Sequence, residues 1–198
     1  MAQLTLIRHG ETEWSRAHRH TGRTDVPLTE TGEEQARAAG KLLSDRQFDH
    51  VFVSPLRRAR ETAVLAGLPD AVAEPDLMEW DYGGYEGLTT AQIRETRPGW
   101  YLWRDGVIPG DAEHPGEQVE SVGSRVDRVL ARVRPLLAAG DDVALVAHGH
   151  VLRVLTARWL GLDPAGGRLF WLATAGVCFL GFEHEQPVMK GWNQRGGA

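Results

Sequence analysis

An alternation constrains this chain more than any other feature. Three short apolar runs rich in β-branched and aliphatic residues, "LTLIR" (4–8), "HVFVS" (50–54) and "DVALVA" (142–147), read as buried strands, and helical patterns stand between and after them. Between the first two, Thr29 to Arg46 is built of good helix formers, with Ala36, Ala39, Leu42 and Leu43 spaced for one apolar face. After the second, "PLRRARETAVLAG" reads as a helix with Pro55 in its first turn and Gly67 as its stop. A long helix over Glu117 to Ala139 places Val119, Val122, Val126, Val129, Leu130, Val133 and Leu137 on one side, and "GHVLRVLTARWLG" follows the third strand and stops at Gly161. "AVAE" (71–74) is a weak further strand. Strands separated by helices pair in parallel through crossover connections, so the order predicts an α/β domain with a largely parallel sheet and helices on both faces.

With 198 residues, 42% of them hydrophobic, the chain is long enough for one domain spanning 1–198 with a sizeable core. The stretch from Trp80 to Gly116 is rich in Gly, Pro and Trp and reads as an excursion from that core, apart from a short helix around Thr89 to Thr96. The longest nearly apolar run, Leu169 to Phe182, reads as two buried strands or one long bent strand; it is too short, and too interrupted by Thr174 and two glycines, to span a membrane. The net charge of −5 excludes a field that would gather nucleic acid or an anionic membrane, so an anionic ligand must be drawn by a local group of cations. The single cysteine, Cys178, excludes an internal disulfide and suits a reducing compartment; with no signal-peptide pattern at the N-terminus, the expected location is cytoplasmic. Its apolar neighbours make a buried inert thiol the default.

Three polar motifs stand at equivalent places. "RHG" ends the first strand, "SPLRR" the second and "HGH" the third, and the last two open helices directly. Ligands of open α/β sheets bind outside the carboxyl ends of the strands, so neighbouring parallel strands would bring the three motifs together. Helix N-termini there add free N–H groups and partial positive charge. Arg8, His9, one of Arg57 and Arg58, His148 and His150 would then converge; successive helical residues lie about 100° apart, so Arg57, Arg58 and Arg60 cannot all face one site. Such a set invites a phosphate, which guanidinium forks match. A neutral imidazole could attack phosphorus, with the built-in cations neutralising the equatorial oxygens, so neither a metal nor another cofactor is expected. His18 and His20 have an H-x-H spacing, which without neighbouring ligands is not a metal site. A leaving alkoxide needs an acid, and "LMEWDYGGYEG" (77–87) offers Glu79, Asp81 and Glu86 without choosing among them.

Taken together, these motifs resemble the histidine phosphatase superfamily, the phosphoglycerate-mutase-like proteins. "LIRHGETEWS" is similar to the family signature, "HTGRTDVPLTETGEEQA" to its substrate loop and first helix, "SPLRRARETA" to its second arginine motif, "LMEWDYGGYEG" to its acid segment and "VAHGH" to its final histidine motif. The resemblance implies a three-layer α/β/α sandwich. It implies His9 as nucleophile with Arg8 beside it, Arg58 as phosphate ligand, Glu79 as proton donor and His148 as second histidine. Ser15, Thr21, Gly22, Tyr82, Gly149 and His150 are implied as substrate contacts. Where the mutases carry an arginine after the acid, this chain has Trp80, then Asp81, and Ser15 replaces their asparagine. In these respects it resembles a branch of actinobacterial acid phosphatases more closely, and the fungal sedoheptulose-bisphosphatase branch less closely. The expectation is therefore hydrolysis of a small phosphorylated substrate rather than transfer between hydroxyls, with a homodimer the only macromolecular partnership entertained. Trp80, Trp100 and Trp103 stand out from the seven tryptophans as candidate walls of an apolar pocket.

Overall fold

The computed structural model describes residues 2–196. Its elements run β1 (Leu4–Arg8), α1 (Glu13–Arg16), α2 (Glu30–Leu42), β2 (His50–Val53), α3 (Arg57–Leu65), β3 (Val72–Ala73), α4 (Thr90–Thr96), α5 (Leu102–Asp105), α6 (Val119–Ala139), β4 (Val143–Ala147), α7 (Gly149–Trp159), β5 (Val177–Glu183) and β6 (Gln186–Gln194), with short 3-10 turns between them. The strand order is β3-β2-β4-β1-β5-β6. β1, β2 and β3 join β4 in a parallel set, and β5 and β6 extend it antiparallel beyond β1. β4 therefore lies between β1 and β2, in the register Arg8↔Ala147 and Val53↔Val146. That register sets the three carboxyl ends side by side.

The faces follow from the two-residue period of a strand. Leu4 and Leu6 of β1 with Val143, Leu145 and Ala147 of β4 pack on Val122, Val126, Leu152 and Leu155, from α6 and α7. Ile7, Val53 and Val146 face the other way, onto Ala39 of α2, Leu43 just after it, and Ala59 and Ala63 of α3. The result is the expected α/β/α sandwich with a mostly parallel sheet. Small alanines on α2 and α3 allow those helices to approach closely. Larger aliphatics fill the opposite layer, where truncating a fully buried leucine such as Leu145 to alanine costs about 2–5 kcal/mol.

Several boundaries differ from the pattern. α3 starts at Arg57, so Pro55 precedes the helix; α2 ends at Leu42. α6 starts at Val119 because Glu117 is drawn aside, its carboxylate accepting from Arg125 at 2.9 and 3.1 Å. The apolar run 169–182 is neither two strands nor one bent strand. Only Val177 onward is strand; residues 170–176 form a loop against the end of β1, where Ala175 N–H donates to His9 O at 2.9 Å. Burial pushes the Cys178 thiol up to about 12, as suits an inert core cysteine. Among the described residues no helix is long and apolar enough to cross a membrane.

Candidate active site

The end of β1 is pinned from three sides. His9 N–H donates to Ala147 O at 2.9 Å, Arg8 N–H to Gly176 O at 3.1 Å and Gly10 N–H to Thr62 Oγ1 of α3 at 3.0 Å. Position 10 must be glycine, because a Cβ there would stand 2.2 Å from the backbone oxygen of Gly32, where α2 crosses the turn. The strand thus delivers His9 as a fixed side chain. Its Nδ1–H donates to Gly10 O at 2.7 Å; a carbonyl can only accept, so the lone pair of the neutral ring lies on Nε2. Burial, then the charges of Arg58 and Arg8, hold the His9 pKa well below the usual histidine value, against the smaller opposing effect of the Gly10 carbonyl.

Behind it, His148 follows β4 and opens α7, its ring 5.1 Å from that of His9, centre to centre. Arg58 Nε–H donates to His148 Nδ1 at 3.1 Å, which leaves the ring proton on Nε2, where it donates to Ser54 Oγ at 2.7 Å. Burial, reinforced by Arg58 and then His9, keeps His148 neutral, its pKa well below the usual value. The remaining arms of Arg58 hold the loop after α1: Nη1 donates to Thr24 O at 2.9 Å and Nη2 to Gly22 O at 2.7 Å. Arg58 is the inward arginine of its helix turn, whereas Arg57 is exposed and pairs with Glu61 at 2.6 Å. Arg58 and His148 are completely buried, directly behind His9 rather than on the wall of the open cavity.

Arg8 does reach the cavity. Its Nη1 donates to Leu172 O at 2.6 Å, while its Nε is buried with no partner among the described residues. Gly149 makes room for it, since a Cβ there would lie 3.3 Å from the guanidinium carbon. Glu79 sits across the start of α7. Its Oε2 accepts from His150 N–H at 3.0 Å, and its Oε1 from Val151 N–H and Trp80 N–H at 2.9 Å each. The His150 and Val151 N–H groups are ones that a helix start leaves unpaired, so the carboxylate both caps the helix and is located by it. Oε2 carries a single accepted bond and is the freer oxygen. The geometry chooses among the three acids: Glu79 is the carboxylate that walls the cavity among the described residues. Asp81 is buried, its Oδ1 accepting from Gly83 N–H at 3.0 Å, and Glu86 accepts from Gly22 N–H at 2.9 Å and Thr24 N–H at 3.2 Å.

The cavity above His9 has a volume of about 370 Å³. Ser15, Thr21, Tyr82, Gly149 and His150 line it as expected. Ser15 does so as a helix cap, its Oγ accepting from Thr12 N–H at 2.9 Å and donating to Thr12 O at 3.0 Å, which leaves no free hydroxyl proton for substrate. Gly22 is not brought to the cavity: Glu86 takes its N–H and Arg58 its carbonyl, and a Cβ would meet Trp80 O at 2.6 Å. Trp100 and Trp103 are walls, but Trp80 is fully buried behind Trp103, with its indole N–H donated to Glu117 O at 2.8 Å. Sequence reasoning missed Ser54 and Thr62, which hold the reacting groups, and Arg19, Arg153, Trp171 and Leu172 on the outer wall. The first two lie inside "SPLRRARETA", but nothing in that run says what a single hydroxyl there will meet. The last two come from the loop that looked like strand.

Fold and site together define an α/β domain that gathers arginine and histidine side chains at adjoining strand ends, around one cavity. Residues 4–195 match the histidine phosphatase superfamily (branch 1), and the chain belongs to that family. It is 45% identical over 184 residues to an acid phosphatase of Mycobacterium tuberculosis, covering 92% of this chain and 87% of the relative. It is 36% identical over 187 residues to a sedoheptulose 1,7-bisphosphatase of Saccharomyces cerevisiae, covering 79% and 67% of the two chains. Among solved structures, the product of an open reading frame of Mycobacterium tuberculosis superposes with a TM-score of 0.91 at 42% identity, over 99% of each chain. The chain is thus a phosphatase of this family, with the family's α/β fold.

Proposed function

We propose that the protein hydrolyses phosphate monoesters through a phosphohistidine at His9. The observation that carries this is the neutral His9 ring, whose Nδ1–H is fixed on Gly10 O and whose Nε2 lone pair is left at the floor of a cavity walled by Arg8 and Glu79. In the first step Nε2 attacks phosphorus, an N–P bond forms and the P–O bond to the leaving alcohol breaks. The positive charge left on the imidazole is shared with the Gly10 carbonyl. The alcohol oxygen takes the proton of a protonated Glu79, whose Oε2 is the freer oxygen. In the second step the Glu79 carboxylate takes a proton from water as that water attacks phosphorus. The N–P bond then breaks, releasing inorganic phosphate and restoring neutral His9.

Arg8, on the cavity wall, brings its guanidinium charge to the phosphoryl oxygens. Arg58 and His148 act from behind: Arg58 through its charge and by fixing the loop at 21–24, His148 by orienting Arg58. The cations are part of the chain, so the reaction is expected without added metal. Trp80 supports hydrolysis over mutase chemistry, since it offers a buried indole where a mutase needs a cation for a substrate carboxylate. The test is trapping with a radiolabelled monoester in the presence of a chelator. The enzyme should carry acid-labile, alkali-stable label and His9→Ala none; label persisting in the variant refutes the assignment.

A further inference from the structure

Above the reacting groups, the cavity has a built polar feature that hydrolysis itself does not use. Tyr82 O–H stands 2.6 Å from His150 Nδ1. Tyr82 is buried, and burial, with Glu79 and Glu86 nearby, raises its pKa well above the usual phenol value, so the hydroxyl keeps its proton. His150 is the only acceptor that proton has among the described residues; were Nδ1 the donor, the phenol proton would be left without one. His150 is itself neutral, its pKa lowered well below the usual value by burial and then by Arg153, His20 and Arg8. A neutral imidazole whose Nδ1 accepts carries its one proton on Nε2. That Nε2–H has no protein partner among the described residues and is not sealed from the cavity.

Position then matters. The backbone N–H of His150 donates to Glu79 Oε2 at 3.0 Å, so the residue is anchored on the acid that protonates the leaving group, and both wall the same cavity. Its ring packs against Trp103 at 5.3 Å, and Trp100 and Trp171 complete an aromatic wall in which Trp171 is 68% exposed at the rim. Flat aromatic faces suit C–H surfaces, and a fixed N–H suits an oxygen acceptor. Sugars and polyols carry both on one small skeleton. An alkyl or plain aryl leaving group would cover the aromatic wall but strand the Nε2–H.

We propose that Tyr82 locks His150 in the Nε2–H tautomer, and that this donor selects monoesters whose leaving group is a polyol or sugar. Tyr82 is then a positioning residue and His150 a specificity-determining one. The proposal rests on the phosphatase reading above, and its test separates the two. The measured quantity is the ratio of kcat/KM for glycerol 3-phosphate to that for n-propyl phosphate, two three-carbon esters that differ by two hydroxyls. Intrinsic leaving-group reactivity is the same for every variant, and a general loss of activity cancels in the ratio.

Tyr82→Phe and His150→Phe should each lower the ratio by about tenfold, the scale of one hydrogen bond left unmade in a dry site. The double variant should fall no further, because both changes remove one interaction. His150→Gln, which keeps an N–H near the same place, should recover part of the ratio. A ratio within twofold of the unaltered enzyme in both phenylalanine variants overturns the proposal. Nitrogen-15 shifts of His150 in the unaltered protein give a reading independent of any variant's folding: an Nε2–H pattern is expected, and an Nδ1–H pattern overturns the lock. If the phosphohistidine reading fails instead, label is absent from His9 while the substrate ratio still responds.

Discussion

Ser54 is the most exacting test of how the site is held. Its Oγ lies 2.7 Å from His148 Nε2, and both residues are completely buried. In Ser54→Ala the imidazole N–H loses its acceptor. Moving the proton to Nδ1 gives no escape, because Arg58 Nε–H already points at that nitrogen from 3.1 Å and two donors would then face each other. A buried donor left without a partner costs about 1–3 kcal/mol. For a chain of this length, about 2 kcal/mol corresponds to a fall in Tm of roughly 4–8 °C. The damage should reach function through Arg58, whose other arms hold the carbonyls of Gly22 and Thr24, so kcat/KM should drop about tenfold or more with the cavity otherwise intact. Thermal unfolding, steady-state kinetics and inorganic phosphate affinity measure the three effects. Ser54→Thr, which keeps the oxygen, is the control and should retain more of each property. A Ser54→Ala protein with Tm within about 1 °C and unchanged kcat/KM would refute the chain of reasoning from Ser54 through His148 to Arg58.

Glu86→Ala should free the backbone at Gly22 and Thr24, which the carboxylate now holds at 2.9 and 3.2 Å. Substrate KM should rise about tenfold, since charge-assisted hydrogen bonds are the strong ones, and hydrogen exchange at those two amides should quicken; Glu86→Gln should do less. Unaltered exchange would show that Arg58 alone fixes the loop. Stability should also fall on acidification. His9, His148 and His150 are held neutral with pKa values well below the usual one, so below about pH 6.5 the unfolded chain takes up protons that the folded chain does not. The loss is present from about pH 6.5 down to the lowered folded values and approaches 1.4 kcal/mol per pH unit for each histidine, about 4 kcal/mol per unit for the three. Thermal unfolding from pH 8 to pH 5 measures it, and a Tm that rises over that interval contradicts the burial argument.

Much of the site was legible because it is local. A strand end followed by "RHG", "SPLRR" or "HGH" places its side chains within one turn of a known element, and the α/β alternation makes those strands parallel; that β4 lies between β1 and β2 is decided by the tertiary structure. Arg58 could be separated from Arg57 by the family pattern, and the structure bears out the inward and outward faces. The choice of Glu79 over Asp81 and Glu86 was not legible from spacing. It depends on which carboxylate meets the start of α7, an element that begins 70 residues later, at Gly149. The loop at 170–176 was misread as strand because Leu172, Ala173 and Ala175, buried against the end of β1, make it as apolar as a strand, while Trp171 stands exposed at the rim.

The amino-acid sequence by itself determined the alternation of strands and helices, the mostly parallel sheet, and the set of arginine and histidine side chains at three strand ends, since these follow from periodicity and short-range geometry. Tertiary structure decided protonation and reach. Gly10 O sets the tautomer of His9, Ser54 and Arg58 that of His148, and Tyr82 that of His150. It also set Arg58 behind the cavity and Trp80 in the core. The physical reason is that a hydrogen bond's partner and a side chain's desolvation are properties of what packs against it, and in this fold those partners come from segments far apart in the chain.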